Sequence, residues 1–135
     1  MKLSLIIPCY NEQENVRAFY DAAKAAFAPK DWSYELIFVD DGSVDATLRA
    51  LETLYEKDSG AVRVVSFSRN FGKEAAIFAG LKAAKGDFVG LIDADLQQRP
   101  EVMAEMLELL LKEPEYDCVA ACQREPKEGR LLRGL

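Results

Sequence analysis

Five short apolar runs recur along the chain, at residues 3–9 (LSLIIPC), 34–40 (YELIFVD), 62–67 (VRVVSF), 87–92 (DFVGLI) and 116–122 (YDCVAAC). Each has the length of a β-strand, and branched or aromatic side chains are frequent in them. The second, fourth and fifth are nearly continuous in apolar character, as in strands covered on both faces. Between the runs the period lengthens to that of a helix. Residues 12–27 align Val16, Phe19, Tyr20, Ala23, Ala26 and Phe27, with Asn11 as the expected N-cap and Pro29 as the stop. Residues 44–57 set Leu48, Leu51 and Leu54 on one stripe behind Ser43, and residues 72–84 carry Ala76, Ile77, Gly80 and Leu81. Residues 100–112 open on Pro100, a good first-turn residue, and align Met103, Met106, Leu107, Leu110 and Leu111 as a core stripe.

The alternation reads βαβαβαβαβ with short loops. It predicts an α/β fold: a doubly wound, mainly parallel sheet, Rossmann-like, with right-handed crossovers putting helices on both faces. One domain is expected over residues 1–123. The tail, 124–135, changes character: Arg124, Lys127, Arg130 and Arg133 crowd together and no strand follows.

Composition narrows the chemistry. The 135 residues are 50% hydrophobic and 30% charged, ordinary for a globular domain. A net charge of −6 argues against a nucleic-acid partner, which wants a basic face, but a metal ion can still reverse the field locally for a polyphosphate. Without any His, the chain has no His acid/base, Ser-His triad or His-ligated zinc chemistry. The cysteines, Cys9, Cys118 and Cys122, are odd in number and lack a CxxC, which fits a reducing compartment and a core role. In a strand, Cys118 and Cys122 would stand about 13 Å apart, too far to bridge. No run approaches the ~20 apolar residues of a membrane span, so the chain reads as soluble and cytoplasmic.

In a parallel sheet, ligands gather outside the carboxyl ends of the strands. There the sequence places Pro8-Cys-Tyr-Asn-Glu12, Asp40-Asp-Gly-Ser43, Ser68-Arg-Asn-Phe-Gly-Lys73 and Asp93-Ala-Asp-Leu-Gln97. No GxGxxG and no P-loop accompany them, so a diphosphate needs another means of neutralisation. Asp93 and Asp95, two apart in extended chain, would point the same way about 6.5 Å apart. With Gln97 they offer oxygen ligands suited to Mg²⁺ or Mn²⁺; the plainer alternative is a solvated acidic turn. Asp41 can accept from a nucleobase imide, or Asp and Ser can cap the next helix while Gly42 makes the turn. Tyr10 could stack on a base and Glu12 bind a ribose hydroxyl, or both could simply open a helix. Arg69 and Lys73 are cations on an otherwise acidic edge, where they could meet base, ribose or phosphate.

Together, IIPCYNEQENV (6–16), FVDDGSVDAT (38–47), SRNFGKEAAIFAGLKAAKGD (68–87) and IDADLQQRPE (92–101) resemble a family 2 glycosyltransferase with the GT-A nucleotide-sugar-binding fold. The resemblance spans about residues 3–122. The third and fourth segments look most like enzymes that load a sugar onto a polyprenyl phosphate, the dolichol-phosphate mannose synthases and the bactoprenol glucosyltransferases. The resemblance implies metal-dependent, inverting transfer from a UDP-sugar to a polyprenyl phosphate. Pro8, Tyr10, Glu12, Asp40 and Asp41 would cradle the nucleotide, and Arg69 and Lys73 would line the donor pocket. Asp93 would meet the nucleotide sugar and the metal, Asp95 and Gln97 would hold the metal, and Asp93 and Asp95 would be the catalytic pair. Family members continue past this point with acceptor-site and membrane-facing segments. The chain therefore looks like an N-terminal half, whose parent would work at the cytoplasmic face of a membrane; a homo-oligomer is compatible with it. The rival readings are a donor-binding module incapable of transfer and a family member with a non-lipid acceptor. A phospho-accepting receiver is a poorer match, because its acid pair follows the first strand.

Overall fold

The computed structural model describes residues 1–122, so the tail at 124–135 and the domain boundary before it lie outside the described residues. Four strands and four helices alternate: β1 (Lys2–Cys9), α1 (Val16–Phe27), β2 (Ser33–Asp40), α2 (Thr47–Lys57), β3 (Val62–Ser66), α3 (Lys73–Ala83), β4 (Phe88–Leu91) and α4 (Pro100–Lys112). The strands form one sheet in the order β3-β2-β1-β4, every neighbour parallel. Register sets Leu5 beside Leu36 and Gly90, and Cys9 beside Asp40.

Alternation along the strands divides the core in two. Leu3, Leu5 and Ile7 of β1, with Leu36 and Phe38 of β2, pack under α1, α2 and α4. Ile6, Ile37 and Val39 point the other way and meet α3 alone, through Ala76 and its small neighbours. Among the described residues helices thus cover both faces as expected, three on one and one on the other.

Two strand expectations are corrected. Residues 116–122 form no strand, and Cys118 and Cys122 are exposed rather than core, although Cys9 is buried. That segment has strand-like composition, but no described strand pairs with it. Nor is β4 covered on both faces: Val89 and Leu91 are exposed, because α3 packs over β1 and β2 and leaves the β4 side of that face open. In α4, Leu111 is also exposed, while Met103 and Leu107 pack inward.

At the amino ends of the strands a buried polar group closes the α3 face. Glu35, its side chain 3% exposed, accepts from the Ser4 hydroxyl at 2.6 Å and the Lys85 N–H at 2.9 Å, and lies 3.3 Å from Lys2 Nζ. Burial alone would raise its pKa. The Ser4 hydroxyl, the Lys85 amide and Lys2 overcome that and bring it to about 2. A carboxyl depressed in the folded state adds stability above its unfolded pKa and loses it on acidification. We expect thermal stability to fall as the pH drops from about 5 toward about 2, with a contribution from Glu35 of about 3 kcal/mol. Denaturant titration of Glu35→Gln should give a protein less stable at neutral pH with a flatter acid limb.

Candidate functional site

Because all four strands run in parallel, their carboxyl ends open on one edge, and every candidate residue lies there. The first two loops are stitched together by side chains reaching across. Ser43 Oγ accepts from the Asn11 N–H at 2.9 Å, and Asn11 Oδ1 accepts from the Val44 N–H at 3.0 Å. Thr47 Oγ1 accepts from the Glu12 N–H at 2.8 Å, and Gln13 Oε1 from the Ala46 N–H at 2.9 Å. Asn11 sits at φ 52°, a left-handed conformation that Asn tolerates better than most residues. These bonds correct the expected caps: Asn11 and Ser43 serve each other's loops, and the helices begin later, at Val16 and Thr47.

Asp41 ties the second loop to the third. Only 4% exposed, its Oδ1 accepts from the Phe71 N–H at 2.7 Å. Its Oδ2 accepts from the Gly72 N–H at 3.1 Å and from Asn70 Nδ2 at 3.2 Å. Asp40, equally buried, accepts from the Ser43 N–H at 3.3 Å. Gly42 makes the turn between them at φ 68°, and a Cβ there would stand 2.1 Å from the Arg69 carbonyl carbon. No other residue fits that approach.

The third and fourth loops meet through an ion pair. Lys73, the first residue of α3, puts Nζ 2.7 Å from Asp93 Oδ1, with both side chains about half exposed. Ala94 is buried between the half-buried Asp93 and the exposed Asp95, and the chain turns at Ala94–Asp95 instead of continuing extended. Asp95 Oδ1 accepts from the Gln97 N–H at 3.1 Å across Leu96, itself left-handed at φ 63°.

Pro8 lies in β1 beside Val39, and Tyr10 just beyond is half exposed. Glu12 Oε2 accepts from Asn15 Nδ2 at 2.7 Å, and the Arg69 guanidinium lies over the Phe71 ring at 4.3 Å. Beneath the edge sits the buried Cys9 thiol. Burial pushes its pKa far up, and the nearby charges of Glu12, Asp40 and Asp93 push it further. Those acids lie at the exits of three different strands. Cys9 packs in the main core cluster beneath them.

The residues available to a hard divalent cation are the carboxylates of Asp93, now paired with Lys73, and of Asp95, with the amide of Gln97, all oxygen donors. Among the described residues no group of three or more Asp, Glu, Cys or His is placed to hold a metal ion, so an ion here would have at most these two carboxylates and would need water and substrate oxygens to complete its shell. A separate groove of about 610 Å³ runs between β4, α4 and residues 119–122, with Gln97 and Arg99 at its rim. Its walls are largely apolar and carry no acid, and it shares Gln97 with the edge. The sequence had given no sign that Asn11 and Ser43, or Asn70 and Asp41, would bond to one another; the short polar residues clustered after each strand were the available signal.

A family model described as glycosyl transferase family 2 matches residues 4–134. A bactoprenol glucosyl transferase of Shigella phage SfV is 44% identical over 108 residues, 80% of this chain and 35% of that protein. The crystal structure of mannosyl-3-phosphoglycerate synthase from Rubrobacter xylanophilus matches with a TM-score of 0.78 at 26% identity, covering 98% of this chain and 44% of that one. A mannosyltransferase from Pyrobaculum calidifontis, in complex with GDP-Man and Mn²⁺, matches with a TM-score of 0.67 at 26% identity, covering 80% of this chain and 32% of that one. The chain spans 35–40% of the length of the curated relatives it matches.

Gly42→Ala should displace the loop at 69–72, since the left-handed turn and the contact with Arg69 both resist a side chain. We expect a loss of about 2 kcal/mol or more in chemical denaturation, together with shifted amide resonances for Asn70, Phe71 and Gly72.

Proposed function

Because this chain belongs to glycosyl transferase family 2, we propose that it is the donor-binding part of an enzyme that moves a sugar from a UDP-sugar to a polyprenyl phosphate, with inversion at the sugar. The observation that carries the donor reading is the Lys73–Asp93–Asp95 group beside the loop held by Asp41. The acceptor reading rests on the likeness to the phage bactoprenol enzyme. Because the chain spans only part of such relatives, donor binding is assigned to it and transfer to the whole protein, working at the cytoplasmic face of a membrane.

In this reading Pro8, Tyr10 and Glu12 form one wall of the nucleotide cradle. The exposed Tyr10 ring stacks on the base, and the Glu12 carboxylate takes a ribose hydroxyl. Asp40 and Asp41 make the floor. The buried Asp41 acts chiefly by fixing the loop that carries Arg69, and Arg69 and Lys73 face the diphosphate. Lys73 orients Asp93 through their ion pair; with the donor bound, Lys73 would meet a phosphate oxygen and Asp93 would contact the sugar and the metal. Asp95 and Gln97 would hold Mg²⁺ or Mn²⁺. When bound, that ion offsets the charge gathering on the leaving diphosphate.

The acceptor needs no strong base. A phosphate monoester, with a second pKa of about 6, is mostly dianionic at neutral pH. One of its oxygens forms the new bond to the anomeric carbon as the bond to the diphosphate breaks, and UDP leaves with that electron pair. Such a reaction suits a site without His.

Calorimetry tests the assignment. UDP should bind in the presence of Mn²⁺ and at least about tenfold more weakly to Asp95→Ala, while Glu56→Ala on the far side of α2 should bind as the parent does. Unchanged affinity in Asp95→Ala, or UDP binding indifferent to Mn²⁺, would overturn the metal site.

A further inference from the structure

Asn15 stands at the N-cap position of α1, yet its side chain does not cap the helix. Its C=O accepts the first bond of the helix, from the Phe19 N–H at 2.8 Å, but no N–H of the first turn reaches its side chain. Asn is among the residues that ordinarily supply such a bond. Here the side chain turns back toward the loop that leaves β1, and Nδ2 donates to Glu12 Oε2 at 2.7 Å. Only the amide nitrogen can face a carboxylate, so the bond orients both groups. The pair is not a capping box either, since the acid precedes the cap instead of following it.

Glu12 is held at its backbone as well. Its N–H donates to Thr47 Oγ1 at 2.8 Å, and its C=O accepts from the N–H groups of Asn15 at 2.9 Å and Val16 at 3.1 Å. Thr47 is buried and is itself anchored by donating to Asp45 Oδ1. A half-buried acid is thus fixed at its N–H, at its C=O and at one carboxylate oxygen. The other oxygen, Oε1, has no hydrogen-bond partner among the described residues, and Glu12 enters no ion pair there. Starting a helix requires none of this. A carboxylate with one oxygen tied and the other open is a preset acceptor for a hydroxyl.

We infer that Asn15 is a positioning residue for the ribose of the nucleotide: by holding Oε2 of Glu12 it aims Oε1 at a ribose hydroxyl, and so sets the preference of this site for ribonucleotides over nucleotides that lack those hydroxyls. The inference deepens the donor reading and rests on its assignment of Glu12 to the ribose. Asn15 touches no part of the donor itself. Without its amide, Glu12 keeps its charge but loses its aim, because the released side chain spreads over several rotamers.

Calorimetry of the 135-residue chain with Mn²⁺, using UDP and 2′,3′-dideoxy-UDP, separates this role from helix capping. The native chain should bind UDP at least about tenfold more tightly than the dideoxy analogue, as a hydrogen bond to a charged group implies. Asn15→Ser and Asn15→Asp both keep a good N-cap residue, so the melting temperature should hold. Ser is too short to reach Glu12, and Asp repels it. In both variants the preference should fall to about threefold or less, through weaker UDP binding with the affinity for the analogue unchanged. Equal losses for the two nucleotides would mark a merely structural role and overturn the inference. A preference that survives both substitutions would overturn it too, and either result leaves the donor reading standing. A native chain that binds the two nucleotides alike would overturn the ribose assignment and the inference with it. Absence of UDP binding to the native chain would overturn the donor reading and the inference together.

Discussion

The carboxylate of Asp41 lies at the end of β2 with almost no solvent around it, and it receives the amides of Phe71 and Gly72 and the side chain of Asn70. Hydrogen bonds to a buried charge are worth about 1.5–3 kcal/mol each, and leaving the charge unpaired would cost more. The third loop therefore has little freedom to move. Its position decides where Arg69 sits and where α3 begins, and α3 begins with the lysine that meets Asp93. Gly42 makes this possible by letting the two backbones touch. One buried acid thus organises the cationic side of the edge, and Asn11, Ser43 and Thr47 organise the other side with neutral bonds.

This arrangement lets an acidic molecule present cations where they are useful. Lys73 pairs with Asp93, and Arg69, exposed in the loop before α3, stands over the Phe71 ring near the same edge. The sheet is thickly covered by three helices on one side and by a single helix with small inward residues on the other. Close packing of that helix is what leaves Phe78 and Leu81 outside. The same packing brings its amino end tightly against the strand exits, so the site and these exposed residues follow from one feature of sequence.

The parallel sheet was legible because the four strands it contains are short apolar runs separated by helical periods, and pairing in such a fold follows from the crossovers. The edge was legible for the same reason, since topology alone brings the residues after each strand together. Less could be read where a residue's partner is distant in sequence. Asn11 and Ser43 look like caps until each is found bonding the other's loop. Glu35, inside an apolar strand, gave no hint of Ser4 and Lys85 as its partners. Residues 116–122 have strand composition but no described neighbour to pair with. In α3, Ala76, Ile77, Gly80 and Leu81 read as one inward face, yet Leu81 is half exposed, because the sheet admits only the small members of that stripe.

Amide hydrogen exchange at Phe71 and Gly72 probes the organising interaction most directly. With Asp41 accepting both N–H groups, these amides should be strongly protected in the native chain. In Asp41→Ala they should exchange at rates near those of an open loop, while the β1 and β2 amides stay protected. Unprotected Phe71 and Gly72 amides in the native protein, or protection unchanged by the substitution, would contradict the account.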